Sequence, residues 1–315
     1  MTDALSRINI LVSIFTLALL AGCASAPAGP SIDKTYMAKS QSSRVKYVIL
    51  HYTVGSFPSS LKTLTEQVVS SHYLVSDEPK PVIYSLVDET RQANHAGVSF
   101  WKNYTLLNGS SIGIEIVNHG FTQTPGGRIW QPFPQAQIDE LIVLVKDIVA
   151  RHKIPPENIL GHSDIAPQRK QDPGPMFPWY QLAQAGLVVW PDGARVMAAR
   201  ATFEQQLPDV AWFQKKLALH GYSVPQTAEL DEATRNVVSA FQMKYRPAFI
   251  DGNLDAETAA LLEVLTTPAG KLPVPATAPL PGTVPAPLPL SPALPLPASP
   301  APAPAPESAP DEGAK

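Results

Sequence analysis

Cysteine is nearly absent from this 315-residue chain: Cys23 is the only one, and it lies in an apolar N-terminal stretch. A disulfide framework is thereby excluded, and so is a cysteine zinc site, which leaves His, Asp and Glu as the side chains able to hold a metal. A strong charge of one sign is missing too. With 24 Lys and Arg against 27 Asp and Glu, the formal net charge is −3, so no broad basic field exists to follow a nucleic-acid backbone, and no nucleic-acid partner is expected. The N-terminal apolar run, Ile8 to Leu20, falls short of the roughly 20 residues that a bilayer-spanning helix needs. What is present is a 44% apolar composition, enough for one sizeable core and a second small one, so two folded units are expected.

Arg7 precedes the apolar run, which has the length of an export-signal core and ends in Leu20-Ala21-Gly22-Cys23. That ending resembles the lipobox of bacterial lipoproteins. The resemblance implies removal of residues 1–22 as a signal peptide and lipidation of Cys23; an uncleaved anchor or an ordinary secretory signal is the alternative reading of the run. Ala24, rather than an aspartate, follows the cysteine, which by the same resemblance implies a lipid anchor in the outer membrane with the protein facing the periplasm. Residues 23–43 are rich in small residues and lack apolar periodicity, so they read as a flexible tether. About 20 extended residues reach up to roughly 70 Å.

From Arg44 onward the pattern alternates strands and helices. Val45 to Tyr52, Pro81 to Val87 and Ser111 to Val117 read as buried β-branched strands, whereas Gln135 to His152 carries Ile138, Leu141, Ile142, Val145, Ile148 and Val149 at helical spacing. The fold class is therefore α/β, with helices flanking a central sheet over residues 44–190. A second unit over 205–266 contains an internal echo, Leu230-Asp231-Glu232-Ala233-Thr234 and Leu254-Asp255-Ala256-Glu257-Thr258. Each aspartate precedes a helix that its side chain can cap, and three short helices are expected. Residues 267–315, almost wholly Pro, Ala and Leu with an acidic end, cannot bury a core and read as an extended, disordered spacer.

Three segments carry chemistry. His51 ends the strand Val48-Ile49-Leu50-His51-Tyr52-Thr53; alone it reads as a hydrogen-bonded edge residue. Glu115 is embedded in Ser111-Ile112-Gly113-Ile114-Glu115-Ile116-Val117-Asn118, where a carboxylate must face either a site or an ion-pair partner. The run Gly161-His162-Ser163-Asp164-Ile165-Ala166-Pro167-Gln168-Arg169-Lys170-Gln171-Asp172-Pro173-Gly174-Pro175 is loop-forming and combines an imidazole, a lysine and two aspartates with little apolar content.

Together these motifs, over roughly Arg44 to Gly186, resemble the zinc-dependent N-acetylmuramoyl-L-alanine amidases of the AmpD and AmiD type (amidase type 2), related to the peptidoglycan-recognition fold. The resemblance implies a mixed central β-sheet, with His51, His162 and Asp172 as ligands of Zn2+ and a fourth position left to water. It implies Glu115 as the catalytic base, Lys170 as the group that stabilises the oxyanion, and Asp164 as a residue that orders the loop rather than a ligand. Arg91-Gln92-Ala93-Asn94-His95-Ala96-Gly97 resembles a family segment beside the metal, which implies substrate binding by His95, Ala96 and Gly97; Asn94 stands where a tryptophan is common. His72 reads as packed or hydrogen-bonded, and His119, His152 and His220 as structural or exposed. Trp212-Phe213-Gln214, Ala240-Phe241-Gln242 and the two Leu-Asp-x-x-Thr motifs resemble the three-helix peptidoglycan-binding domain. The implied activity is hydrolysis of the amide between the lactyl group of N-acetylmuramic acid and L-alanine, with peptidoglycan or muropeptides as partner. Two other readings compete: a non-catalytic peptidoglycan-recognition lipoprotein, opposed by retention of all three ligands with Glu115 and Lys170, and a cytosolic recycling amidase, opposed by the export signal.

Overall fold

The computed structural model describes residues 29–268. The expected signal peptide, Cys23 and almost all of the Pro/Ala-rich tail lie outside the described residues. Chain contacts divide the protein at Ser42 and Ser43. Residues 29–42 form no helix or strand.

From Ser43 onward the elements are β1 (Tyr47–Tyr52), α1 (Phe57–Glu66), β2 (Tyr73–Val75), β3 (Ile83–Ser85), β4 (Phe100–Trp101), β5 (Tyr104–Thr105), β6 (Ser111–Ile116), β7 (Phe121–Thr124), β8 (Gly127–Trp130), α2 (Gln135–His152), β9 (Ile159–Gly161), α3 (His162–Ile165), α4 (Trp179–Gln184), α5 (Gly193–Phe203), α6 (Val210–His220), α7 (Glu232–Tyr245) and α8 (Ala256–Thr266). Strands order as β3-β2-β6-β1-β9, with β2, β6, β1 and β9 parallel and β3 antiparallel at one edge; β4–β5 and β7–β8 are separate hairpins. This is the expected mixed sheet. No helix among the described residues is long and apolar enough to cross a membrane.

Strand β1 is buried along its whole length, as a central parallel strand covered on both faces must be. Its side chains alternate between two cores. Val48 and Leu50, with Ile112, Ile114 and Ile116 of β6, pack against Ile138, Leu141, Val145 and Ile148 of α2. Tyr47 and Ile49 face the other way, into a cluster that includes Trp101, Phe213, Leu217, Val237 and Phe241. Helix α2 spans the residues its periodicity predicts.

The C-terminal helices share this cluster with the second face of the sheet: Phe213, Leu217, Val237, Phe241, Ala259 and Leu262 pack in it together with Tyr47 and Ile49. Asp231 and Asp255 cap α7 and α8 as their positions predict, each accepting from the backbone N–H three residues on, at 2.7 Å. The echo also has a buried component. Gln214 donates to Thr234 Oγ1 and Glu229 O, and Gln242 donates to Thr258 Oγ1 and Asn253 O, so each glutamine ties down the loop that leads into an aspartate-capped helix. Helix α5, capped by Asp192, packs along α8 and was not expected from the sequence. Only Ala199 of its eleven residues is buried, so it carries almost no apolar stripe to reveal it.

Candidate metal centre

The parallel strands deliver three functional side chains to one edge of the sheet. His51 lies near the C-terminal end of β1, Glu115 is its register partner on β6, and His162 follows β9 directly. Ligand sites in sheets of this kind gather beyond the carboxyl ends of the strands, where chains diverge and side chains are free to converge. Asp172 arrives on the loop after α3, which is held by the backbone bond from Ser163 N to Asp172 O at 2.9 Å. The sharp turn Asp172-Pro173-Gly174 needs its glycine: Gly174 has φ +81°, and a Cβ there would sit 2.9 Å from the Tyr52 ring.

Three donor atoms meet at the centre. His51 Nδ1 lies 2.9 Å from both His162 Nδ1 and Asp172 Oδ2, and His162 Nδ1 lies 3.0 Å from the same oxygen. All three residues are buried. Nε2 of His162 lies 3.2 Å from Ala96 O, which can only accept, and 3.3 Å from Arg169 Nη2, which can only donate; a proton on Nε2 serves the nearer carbonyl and leaves Nδ1 a bare lone pair aimed at the other donors. Lone pairs crowded together away from water repel one another unless a cation joins them, and two imidazoles with one carboxylate form a donor set that zinc accepts while keeping a position open. The residues fit the metal. Burial, followed by the neighbouring His162, lowers the pKa of His51, which favours the uncharged form a metal requires.

Among the described residues Glu115 has no ion-pair partner. Its Oε2 is sealed from solvent without a hydrogen bond, and burial, reinforced by the charge of Asp172, pushes its pKa up to about 8. Lys170 is exposed, and its positive charge acts on both Glu115 and His51. The arrangement thus sets a carboxyl group poised near neutrality and a cation around three converging ligands, which is the equipment for hydrolysis rather than for a structural metal.

The neighbouring residues divide into those the sequence places and those it does not. Both ring nitrogens of His95 are engaged within the protein: Nδ1 lies 3.0 Å from His51 Nε2, and Nε2 lies 3.1 Å from Ser111 Oγ. Ala96 is buried, with its carbonyl accepting from His162 and Arg169, while Gly97 is exposed. His72 accepts from Gly113 N and bonds Arg91 O, as a hydrogen-bonded residue. His152 bonds Glu89 and Ser43, His119 is exposed, and His220 packs among aromatic rings. Asp164 points away from the metal ligands and accepts from Gly161 N at 2.9 Å, Tyr222 Oη at 2.6 Å and Lys244 Nζ at 2.7 Å. Ser111, Arg169 and Lys244 are contacts that sequence reasoning missed. For Ser111 a clue was available, since it shares a strand face with Gly113 and Glu115.

Comparison with known proteins agrees with this geometry. Residues 41–175 match the family described as N-acetylmuramoyl-L-alanine amidase, and residues 206–262 match the putative peptidoglycan binding domain. The N-acetylmuramoyl-L-alanine amidase AmiD of Escherichia coli strain K12 is 46% identical over 264 residues, which covers 80% of this chain and 95% of that protein. A structure of E. coli AmiD in complex with the substrate anhydro-N-acetylmuramic acid-L-Ala-D-gamma-Glu-L-Lys is similar with a TM-score of 0.69, covering 75% of this chain and 94% of that one. AmpDh3 from Pseudomonas aeruginosa is similar with a TM-score of 0.70 at 38% identity, covering 75% and 98% of the two chains.

Proposed function

This chain belongs to the N-acetylmuramoyl-L-alanine amidase family, and on that premise we propose that it hydrolyses the amide between the lactyl group of N-acetylmuramic acid and L-alanine of the stem peptide, using zinc held by His51, His162 and Asp172. The observation that carries this reading is the convergence of three buried donors beside a carboxyl group with no partner of its own. A zinc ion at these ligands supplies Lewis acidity, which lowers the pKa of water and polarises an amide carbonyl.

The side chains then have distinct tasks. Glu115 removes a proton from the attacking water and returns it to the alanine nitrogen, so that water adds to the lactyl carbonyl carbon, the C–N bond breaks, and a carboxylate and a free amine result. A pKa pushed up to about 8 suits a group that must both accept and donate near neutral pH. Lys170 offsets the negative charge that develops on the carbonyl oxygen. Asp172 lends the two imidazoles a negative charge and so favours a divalent cation among them.

The helical region, through its likeness to the peptidoglycan-binding family, supports binding to the wall polymer or its muropeptide fragments, which raises the local concentration of scissile bonds. Activity on the cell wall puts the protein in the envelope. An outer-membrane lipid anchor at Cys23 would keep it there facing the periplasm; wild-type protein that takes up no labelled fatty acid, compared with Cys23→Ala, would sink the anchor.

The catalytic reading is tested by mass spectrometry of muropeptides incubated with residues 24–315, with zinc and with a chelator. Free stem peptide and intact glycan are expected only with metal. Absence of cleavage under every metal condition would leave a recognition protein.

A further inference from the structure

Which nitrogen of each ligand imidazole carries the proton is decided by groups outside the metal centre, and for His51 a chain of hydrogen bonds fixes it. Ser111 Oγ lies 2.7 Å from Leu107 O, a carbonyl that can only accept, so the single hydroxyl proton is committed there. Towards His95 Nε2, 3.1 Å away, Ser111 can therefore only accept, and His95 must carry its proton on Nε2. Nδ1 of the neutral His95 ring is then bare and accepts from His51 Nε2 at 3.0 Å. With its proton on Nε2, His51 presents a bare Nδ1 to the point shared with His162 and Asp172.

We propose that His95 and Ser111 are positioning residues that lock His51 into its metal-binding tautomer, by the chain Leu107 C=O, Ser111 hydroxyl, His95 ring, His51 ring. The inference rests on the zinc reading above and assigns His95 a task other than contact with substrate. Three further features build the relay into the fold. Gly113, between Ser111 and Glu115 on β6, gives the His95 ring its floor: a Cβ there would sit 2.6 Å from His95 Nδ1. Asn108 Oδ1 accepts from the backbone N–H groups of His95 and Ala96, at 3.1 and 2.7 Å, which fixes the segment. Arg169 then grips the next carbonyls, donating to Ala96 O and Val98 O, so the carbonyl that lies 3.2 Å from His162 Nε2 is held as well. Consecutive residues thus set both ligand imidazoles, His95 through its ring and Ala96 through its backbone.

The test measures zinc affinity by competition with a chromogenic chelator, and ring tautomers by long-range 1H–15N correlation, in wild type, Ser111→Ala, His95→Phe and His95→Gln. Wild type should show His95 and His51 protonated on Nε2, with His51 Nδ1 as the zinc ligand. Ser111→Ala should release His95 into a mixture of tautomers, and His95→Phe should weaken zinc binding about 10- to 100-fold, the usual effect of removing such an outer partner. His95→Gln, whose amide oxygen can accept from His51, should recover most of that loss. Zinc affinity within twofold of wild type in both Ser111→Ala and His95→Phe, with only KM raised, would make His95 a substrate contact and overturn the inference. So would a wild-type His95 protonated on Nδ1. Failure of wild type to take up zinc would refute the metal site itself and the relay with it, whereas zinc-loaded wild type with indifferent variants refutes the relay alone.

Discussion

Replacing Glu115 by glutamine should make the metal-free protein more stable, and increasingly so as pH rises. The carboxyl group has a pKa of about 8 in the folded protein against an ordinary value of 4.5. Between those values the folded state holds a proton that the unfolded chain has released, so stability falls as pH increases. The penalty is absent below the unfolded value, grows by about 1.4 kcal/mol per pH unit and levels off above the folded value. The wild-type deficit relative to Glu115→Gln from this source should therefore be about 2 kcal/mol at pH 6 and approach 5 kcal/mol at pH 9. Since small proteins are held by roughly 5 to 15 kcal/mol in all, the difference is large enough to read from denaturant midpoints.

The assay is urea unfolding of chelator-treated wild type and Glu115→Gln at pH 6, 7, 8 and 9. Adding zinc should flatten the pH dependence, because a divalent cation beside Glu115 favours the ionised carboxylate. In turnover the order reverses: glutamine cannot accept the proton from water, so kcat should drop about 10²- to 10⁴-fold while zinc remains bound. A stability difference that does not change with pH would refute the argument that burial of an unpaired carboxyl sets its pKa. Near-normal turnover would remove Glu115 as the base.

Lys170→Ala should lower kcat by about 10²- to 10³-fold if its ammonium offsets oxyanion charge. It should also shift the acid limb of the kcat/KM profile to higher pH, because the Lys170 charge pulls Glu115 downward and its loss raises that pKa; an unmoved profile would contradict this coupling. Lys244→Met strands the buried carboxylate of Asp164 and should cost about 3 to 5 kcal/mol in chemical denaturation, with Asp164→Asn in the same chain recovering part of the loss. An unchanged denaturation midpoint for the single variant would show that the pair holds nothing together.

The parts legible in the sequence are those in which one short segment carries both pattern and chemistry. Helix α2 could be bounded because its aliphatic residues repeat at 3.6-residue spacing against one face of the sheet. His51, Glu115, His162 and Asp172 are legible as a set only through the resemblance of their three segments to the amidase family: alone, His51 reads as an edge histidine and Glu115 fits an ion pair as well as a site. What stayed hidden depends on distant partners. Lys244 sits on a helix where a lysine normally reaches solvent, yet it is buried against Asp164, 80 residues earlier in the chain. The same contact binds the C-terminal helices to α3, which begins at His162. A reading by separate motifs expects two folded units, and it has no means to foresee that the helices share a buried cluster with one face of the catalytic sheet.

Strand β6 shows why the chemistry could be seen at all. Alternation sends Ile112, Ile114 and Ile116 into the core under α2, while Ser111, Gly113 and Glu115 share the opposite face, in register with Tyr47, Ile49 and His51 of β1. On that face the serine ends the relay to His95, the glycine leaves room for the ring, and the glutamate waits beside the metal ligands. A slip of one residue would turn the isoleucines into the site and the glutamate into the core, so the apolar half of the motif fixes the register on which the polar half depends. Core-forming and site-forming residues are interleaved here, and the six-residue strand is informative because neither set can move without displacing the other.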